Sequence, residues 1–280
     1  MIKVALPNKG VLFEPTMELL SACGYKVART QGALSVLDNE NQVEFYFLRP
    51  SDIPVYVSNG LLDAGITGQD FVAEKGVEPT QLLELHFGAS RLCAAVPFDS
   101  PITTLEQVAE LRIATSFPVI TRKALGNPDL KLVQLEGAVE IAVQLGIAEA
   151  VVDVVDTGRT LAEAGLRVVG EPLFRSQAAF YAHPGREVMG EVTIMKQRLE
   201  GKLVAMEYMM VEYDVPGEIL ADACRVTPGL ESPTVTRLQR EGWYSVKAMI
   251  ARREAHNIMD ELSRMGCRGI LLTNIESARI

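Results

Sequence analysis

Between Glu140 and Leu161 the chain gathers carboxylates, threonines, two glycines and an arginine in an order that suits phosphate chemistry. Residues 150–155 form an apolar run broken only by Asp153, which reads as a buried strand. Asp156, Thr157, Gly158, Arg159 and Thr160 come directly after it, and residues 161–164 can be helical. A strand that turns through a short Thr/Gly segment into a helix leaves free backbone N–H groups at the helix start. Together with the helix dipole they form an anion site, most naturally for phosphate. Thr157 and Thr160 add hydroxyl donors, and Gly158 lets the backbone approach a ligand closely. Asp153, at the strand end, can hold a sugar diol. The same residues also fit a plain strand–helix connection capped by threonine.

The elements that would position this turn are α/β in type. Residues 2–6, 43–48 and 64–68 read as strands, alternating with helices over 14–23, from 53 and over 69–74, which implies a mostly parallel sheet covered by helices. A second unit begins near Arg91, with strands at 92–96, 112–115 and 130–135 and helices at 105–110, 117–125 and 139–145. Residues 178–182 form a further strand, and a helix over 187–203 returns to the first unit. Two such lobes with a crossing connection enclose a cleft, a preferred ligand site. Residues 204–215 then read as a long strand. With the later helices and strands of the tail it gives the order βαββαβ, the split βαβ, ferredoxin-like arrangement. The expected divisions are 1–90 plus 178–205, 91–177, and 206–280.

Composition narrows the partners. The 280 residues are 48% hydrophobic and 22% charged, an ordinary globular balance. The net charge of −9 argues against a nucleic-acid polymer, which calls for a basic face. The N-terminus reads as a strand and not a signal peptide, and no apolar run reaches membrane-spanning length, so a cytoplasmic location is expected. Cys23, Cys93, Cys224 and Cys267 show no CxxC pair, and His86, His183 and His256 are far apart, so the expected thiols are reduced and no protein metal cage is indicated.

The segment that runs from Glu140 through Gly146, Ala148, Val151 and Asp153-Val154 to Thr157-Gly158-Arg159-Thr160-Leu161 resembles the signature of the ATP phosphoribosyltransferase family. Leu6-Pro7-Asn8-Lys9-Gly10, Phe47-Leu48-Arg49-Pro50, Asp63 to Asp70 and Arg112 to Thr115 are similar to family segments in the right order. Tyr213-Asp214 and Thr227 to Thr234 are similar to the long form with a C-terminal histidine-sensing domain. Asn8 adds a residue to the commoner opening, and Val11 stands where many members carry arginine.

The resemblance implies a two-lobed, periplasmic-binding-protein-like catalytic unit followed by an α+β ferredoxin-like regulatory domain. It implies that N1 of ATP displaces pyrophosphate from phosphoribosyl pyrophosphate (PRPP), with Mg²⁺ carried by substrate phosphates. On this reading Val154, Val155, Asp156, Thr157, Gly158, Arg159 and Thr160 hold the 5′-phosphate and Asp153 the ribose hydroxyls, while Arg159 can equally point to solvent. Lys9 and Arg49, just past two strands, meet the triphosphate or pyrophosphate, or are solvated surface cations. Asp70 and Ser90 belong to the ATP half, with helix-start capping the competing role for Asp70. Glu140 is in the signature, with packing or capping as its alternative. Asp214, Leu230, Ser232 and Thr234 would meet inhibitory histidine. A homo-oligomer, dimer or hexamer, with no separate regulatory subunit is implied. Common nucleobase phosphoribosyltransferases carry two adjacent acids at this turn, whereas here Val152 precedes Asp153. A two-lobed solute-binding protein is the non-enzymatic rival.

Overall fold

The computed structural model describes residues 1–30, 32–155 and 159–279. Asp156, Thr157 and Gly158, expected at the phosphate, therefore lie outside the described residues. The chain divides into two compact units, Met1–Lys196 and Gln197–Ile280.

The first unit starts with β1 (Ile2–Pro7), α1 (Phe13–Ala22), β2 (Ser35–Asp38), β3 (Val43–Leu48), α2 (Ile53–Ser58), β4 (Ala64–Gly68), α3 (Gln69–Lys75) and β5 (Thr80–Glu84). A second lobe comes next, built from β6 (Ser90–Pro97), α4 (Leu105–Val108), β7 (Arg112–Thr115), α5 (Pro118–Leu125) and β8 (Lys131–Gln134). It continues with α6 (Ile141–Gln144), β9 (Ala150–Val155), α7 (Arg159–Glu163) and β10 (Leu166–Ser176). The chain then returns to the first lobe as β11 (Ala178–Ala182).

Lobe one is a six-stranded sheet in the order β2-β3-β1-β4-β11-β5. The sequence pattern predicts a mostly parallel sheet, and the structure corrects this. Only β3-β1-β4 is parallel, because β11 re-enters from the second lobe antiparallel to β4 and β5, and β2 pairs antiparallel with β3. Gly65 in β4 fits because a Cβ there would stand 2.8 Å from Ile53 and 3.0 Å from Val57, so α2 could not lie so close on the sheet.

Lobe two is a five-stranded sheet, β10-β6-β9-β7-β8. Its middle strands are apolar on both faces, and alternation splits them between two cores. Leu92, Ala94, Val96, Ile113, Ala150 and Val152 pack on one side. Cys93, Ala95, Ala114, Val151 and Val155 pack on the other, with Val139 and Ala142 from the α6 region. Each fully buried Val, Leu or Ile of this kind stabilises by about 1.5–3 kcal/mol. β10 escapes a pattern search because its burial does not alternate and its register shifts between Val169 and Phe174.

Two short crossings join the lobes, residues 85–89 and Gln177. They run side by side: the Leu85 N–H donates to the Ala178 carbonyl and the Ala178 N–H to the Phe87 carbonyl, both at 2.9 Å.

The second unit begins within α8 (Gly190–Glu207) and holds β12 (Tyr208–Pro216), α9 (Leu220–Val226), β13 (Thr234–Arg237), β14 (Trp243–Ala251), α10 (Ala255–Met265) and β15 (Arg268–Asn274). The strand expected from residue 204 starts at Tyr208 instead. Leu203 and Ala205 continue the buried stripe of α8, and the Arg252 guanidinium donates to the Met206 carbonyl at 2.8 Å and the Tyr208 carbonyl at 3.3 Å, closing the helix end. The sheet order β13-β14-β12-β15, antiparallel throughout, is the ferredoxin-like split βαβ.

Candidate active site

Asp153 gains its setting from strand alternation. It shares a face of β9 with Val151 and Val155, the face covered by α6. Glu140 stands immediately before α6 and caps nothing with its side chain. Burial pushes the Asp153 carboxyl above the usual carboxylate range, and the nearby Glu140 charge pushes the same way against a 2.8 Å hydrogen bond from the Val154 N–H. The fold thus brings a second acid to Asp153, although Val152 occupies the adjacent position in sequence. A carboxyl raised by burial with a second acid nearby is a recurrent mark of functional sites.

The flanking turn is partly visible. Val155 is buried, whereas Val154 is 39% exposed. Arg159 opens α7, earlier than the predicted helix start, and its exposed guanidinium pairs with Glu163 at 2.7 Å. An exposed pair of this sort holds the arginine only weakly. Thr160 is exposed on the same first turn.

Two cavities open in the first unit. One, of about 540 Å³, lies between the lobes and brings Lys9 and Arg49 together with Glu74, Ser116, Phe117 and Gln134. Both cations are exposed on turns after β1 and β3. The other, of about 620 Å³, is lined by Ser90, Arg91, Val155, Arg175, Ser176 and the hinge glutamines Gln69 and Gln177. It therefore adjoins the end of β9. Ser90 and Val155 share this space, while Lys9 and Arg49 line the first.

Asp70 lines neither cavity. It is buried at the start of α3, where its Oδ1 accepts from the Phe71 N–H at 2.8 Å, and its own N–H donates to Ser176 Oγ at 3.0 Å. Gly68 permits this, since a Cβ there would overlap Asp70 Oδ1. Burial raises the Asp70 pKa against the hydrogen bonds from Phe71 and Ser176. Around it the hinge is densely bonded. Glu84 accepts from the Gln69 amide at 3.0 Å and the Gln177 amide at 2.6 Å, and the Tyr181 hydroxyl donates to Gln81 at 3.1 Å. Sequence reasoning missed Glu74, Arg175 and Ser176. Glu74 lies one helical turn after Asp70, a spacing that places both near one side of α3; β10, which carries the other two, gave no signal.

In the second unit Val211, Tyr213 and Val215 are buried, so alternation puts Asp214 on the sheet's other face. Its register neighbours are Ser245 on β14 and Arg268 on β15, and Gly269 lies beside its carboxylate. Thr236 pairs with the same Ser245, so Thr234, two residues back, shares the Asp214 face. Leu230 and Ser232 are exposed in the loop before β13.

A two-lobed α/β unit with cations lining its cleft and two acids near the end of β9 is suited to an anionic ligand held between lobes. Residues 49–201 match the family model described as ATP phosphoribosyltransferase, and residues 205–277 the one described as HisG, C-terminal domain. The ATP phosphoribosyltransferase of Salinibacter ruber is 43% identical over 283 residues, covering 100% of both chains. That of Corynebacterium jeikeium is 44% identical over 282 residues with the same coverage. Among solved structures, the ATP phosphoribosyl transferase (HisG:HisZ) complex from Thermotoga maritima superposes with TM-score 0.63 at 27% identity, over 74% of this chain and 100% of that one. The chain belongs to the ATP phosphoribosyltransferase family.

Proposed function

We infer that the first unit transfers the phosphoribosyl group of PRPP to N1 of ATP, giving phosphoribosyl-ATP and pyrophosphate, the first step of histidine biosynthesis. The C1′–oxygen bond to pyrophosphate breaks with its electron pair leaving on the pyrophosphate, and the N1 lone pair forms the new bond to C1′. Positive charge grows on the ribose and negative charge on the leaving group, so the protein's task is positioning and electrostatic stabilisation.

The observation that carries this reading is the meeting of Glu140 and Asp153 at the start of the signature turn. Asp153, with Glu140 beside it, holds the ribose hydroxyls and faces the developing positive charge. Residues 154–160 cradle the 5′-phosphate. Lys9 and Arg49 take the triphosphate or pyrophosphate from the opposite lobe, and Asp70 and Ser90 order the nucleotide. Mg²⁺, bound through the substrate's phosphates, would neutralise charge on the leaving group. Among the described residues no three His, Cys, Asp or Glu side chains gather for a metal. A hard cation that keeps waters and phosphate oxygens needs only one or two carboxylates, and Glu140 and Asp153 fit that part.

The organisation that goes with this reading is a catalytic pair of lobes, 1–90 plus 178–205 and 91–177, and a regulatory domain from 206. Asp214 and Thr234 on the open sheet face, with Leu230 and Ser232 in the adjoining loop, receive histidine as feedback inhibitor. The chain works as a homo-oligomer, and the fused C-terminal domain stands in for a separate regulatory subunit. Among the described residues no helix is long and apolar enough to cross a membrane, which suits a cytoplasmic enzyme.

Pyrophosphate release from ATP and PRPP, with and without histidine, tests these readings together. Absence of release with both substrates sinks the transfer reaction. Release that histidine leaves unchanged sinks only the role given to the second unit.

A further inference from the structure

Helix α5 has no cap of its own. Phe117 precedes it and offers no side-chain acceptor, and Pro118 at the first helical position has no N–H. The first free donors are therefore the N–H groups of Val119 and Ile120. Both are taken by Glu74, which belongs to the other lobe: the Val119 N–H donates to Glu74 Oε1 at 3.0 Å and Oε2 at 3.1 Å, and the Ile120 N–H to Oε2 at 3.1 Å. Beside this contact the Phe71 ring of α3 lies against Phe117, with centroids 6.2 Å apart. At its other end α3 is tied to the hinge through the Asp70 N–H and Ser176 Oγ. One short helix thus grips the second lobe at the hinge and across the cleft.

The same contact borders the cavity that holds Lys9 and Arg49 on one side and Ser116 and Gln134 on the other. Opening the cleft would leave α5 uncapped and exchange the two N–H partners of Glu74 for water. Resting on the transfer reading, we propose that Glu74 is a positioning residue whose carboxylate clamps α5 and so sets the distance between the two lobes at which both substrates bind. A lost helix cap shifts an equilibrium by about fivefold to thirtyfold. Where only the closed form binds well, apparent affinity falls by the closed fraction.

The test combines steady-state kinetics with an interlobe distance. Glu74→Ala is expected to raise KM for ATP and for PRPP, by at most about thirtyfold and by less the more fully closed the parent is, while kcat stays within about twofold. Glu74→Gln, which keeps one amide oxygen as acceptor, should fall between it and the parent and guards against a variant that fails to fold. For the distance, spin labels go on Leu61→Cys in lobe one and Leu145→Cys in lobe two, both exposed. Cys23 and Cys224 are replaced by serine, and the labelled chain is diluted into unlabelled protein. Without substrate, Glu74→Ala should lengthen and broaden the distance distribution. Unchanged KM values, a loss confined to kcat, or superimposable distance distributions would each overturn the proposal. A parent protein that released no pyrophosphate would sink the transfer reading, while the distance measurement would still judge the clamp.

Discussion

The acids beside β9 and the cations of the interlobe cavity, which we propose serve one site, are built in opposite ways. Glu140 and Asp153 are half-buried, Asp153 on a face fixed by strand alternation and Glu140 just before α6, and burial raises the Asp153 pKa. Lys9 and Arg49 stand exposed on turns. The Asp153 carboxylate is held by the Val154 N–H and desolvated by the fold before substrate arrives, so its electrostatic work is preorganised. The cations keep their water and rotamer freedom until a ligand orders them, and that loss is charged to binding. Damage to the acids should therefore appear in the barrier, and damage to the cations in affinity and salt dependence.

The largest expected effect is at Asp153. Asp153→Asn keeps size and the acceptor for the Val154 N–H while removing the charge proposed to face the ribose. Its kcat/KM for PRPP should fall about 100-fold to 1,000-fold, or roughly 3–4 kcal/mol of transition-state stabilisation. Full turnover with parental PRPP affinity, measured by pyrophosphate release, would remove the acid half of the comparison.

Glu140→Gln should be milder, about tenfold to 100-fold, within the range of a single positioned proton-transfer or charge-bearing group. It also carries a sign. Glu140 raises the Asp153 pKa, so removing its charge lowers that pKa. A reaction that needs ionised Asp153 then survives to lower pH, and the acid limb of log kcat/KM should move down. A limb that stays put or moves up would show that the two carboxyls do not act together.

How much of this was legible in the sequence depends on the range of the interaction. Asp153 lies inside an apolar run that leads to a Thr/Gly segment, so local pattern points to it; Lys9 and Arg49 come just after strands, and only the family resemblance sets them apart from surface cations. The tail's βαββαβ order was legible from local pattern as well: β12 and β14 alternate, and Gly266 ends α10. β10 was invisible because exposed positions, Gly170 and Pro172 interrupt its alternation, and without β10 neither Ser176 nor Arg175 could be placed. The parallel-sheet expectation failed because strand direction in β11 is set by the chain's return from the second lobe. The Glu74 cap on α5 spans 45 positions and leaves no local mark except the missing cap residue before Pro118. The boundary at α8 moved because its end is closed by Arg252, a residue far along the chain.

For the cations the expected effect is smaller and of another kind. Arg49→Ala should raise KM for ATP about tenfold with kcat little changed, since an exposed guanidinium on a phosphate gives affinity more than barrier reduction. Raising salt should weaken the parent more than the variant, because the lost contact is the screened one. Fixed-PRPP titrations of ATP at two ionic strengths decide it. A kcat loss as large as that of Asp153→Asn would erase the distinction between the two halves.

The smallest effect concerns stability, and its direction is the opposite of the effect on activity. In the folded protein burial lifts the Asp153 carboxyl above its value in an unfolded chain. The folded state therefore binds that proton more tightly, and its contribution to stability is full below the unfolded pKa and is lost as pH rises through the folded one. At pH 7 the ionised, half-buried carboxylate works against folding. Asp153→Asn should then melt higher than the parent at pH 7 without substrate, by about 2 °C, with the difference disappearing below about pH 4. Calorimetry at the two pH values reads it directly. A lower melting temperature at pH 7 would mean that the ionised group is already compensated in the free enzyme. The contrast between a preorganised, strained acid and a relaxed cation would then have to be given up.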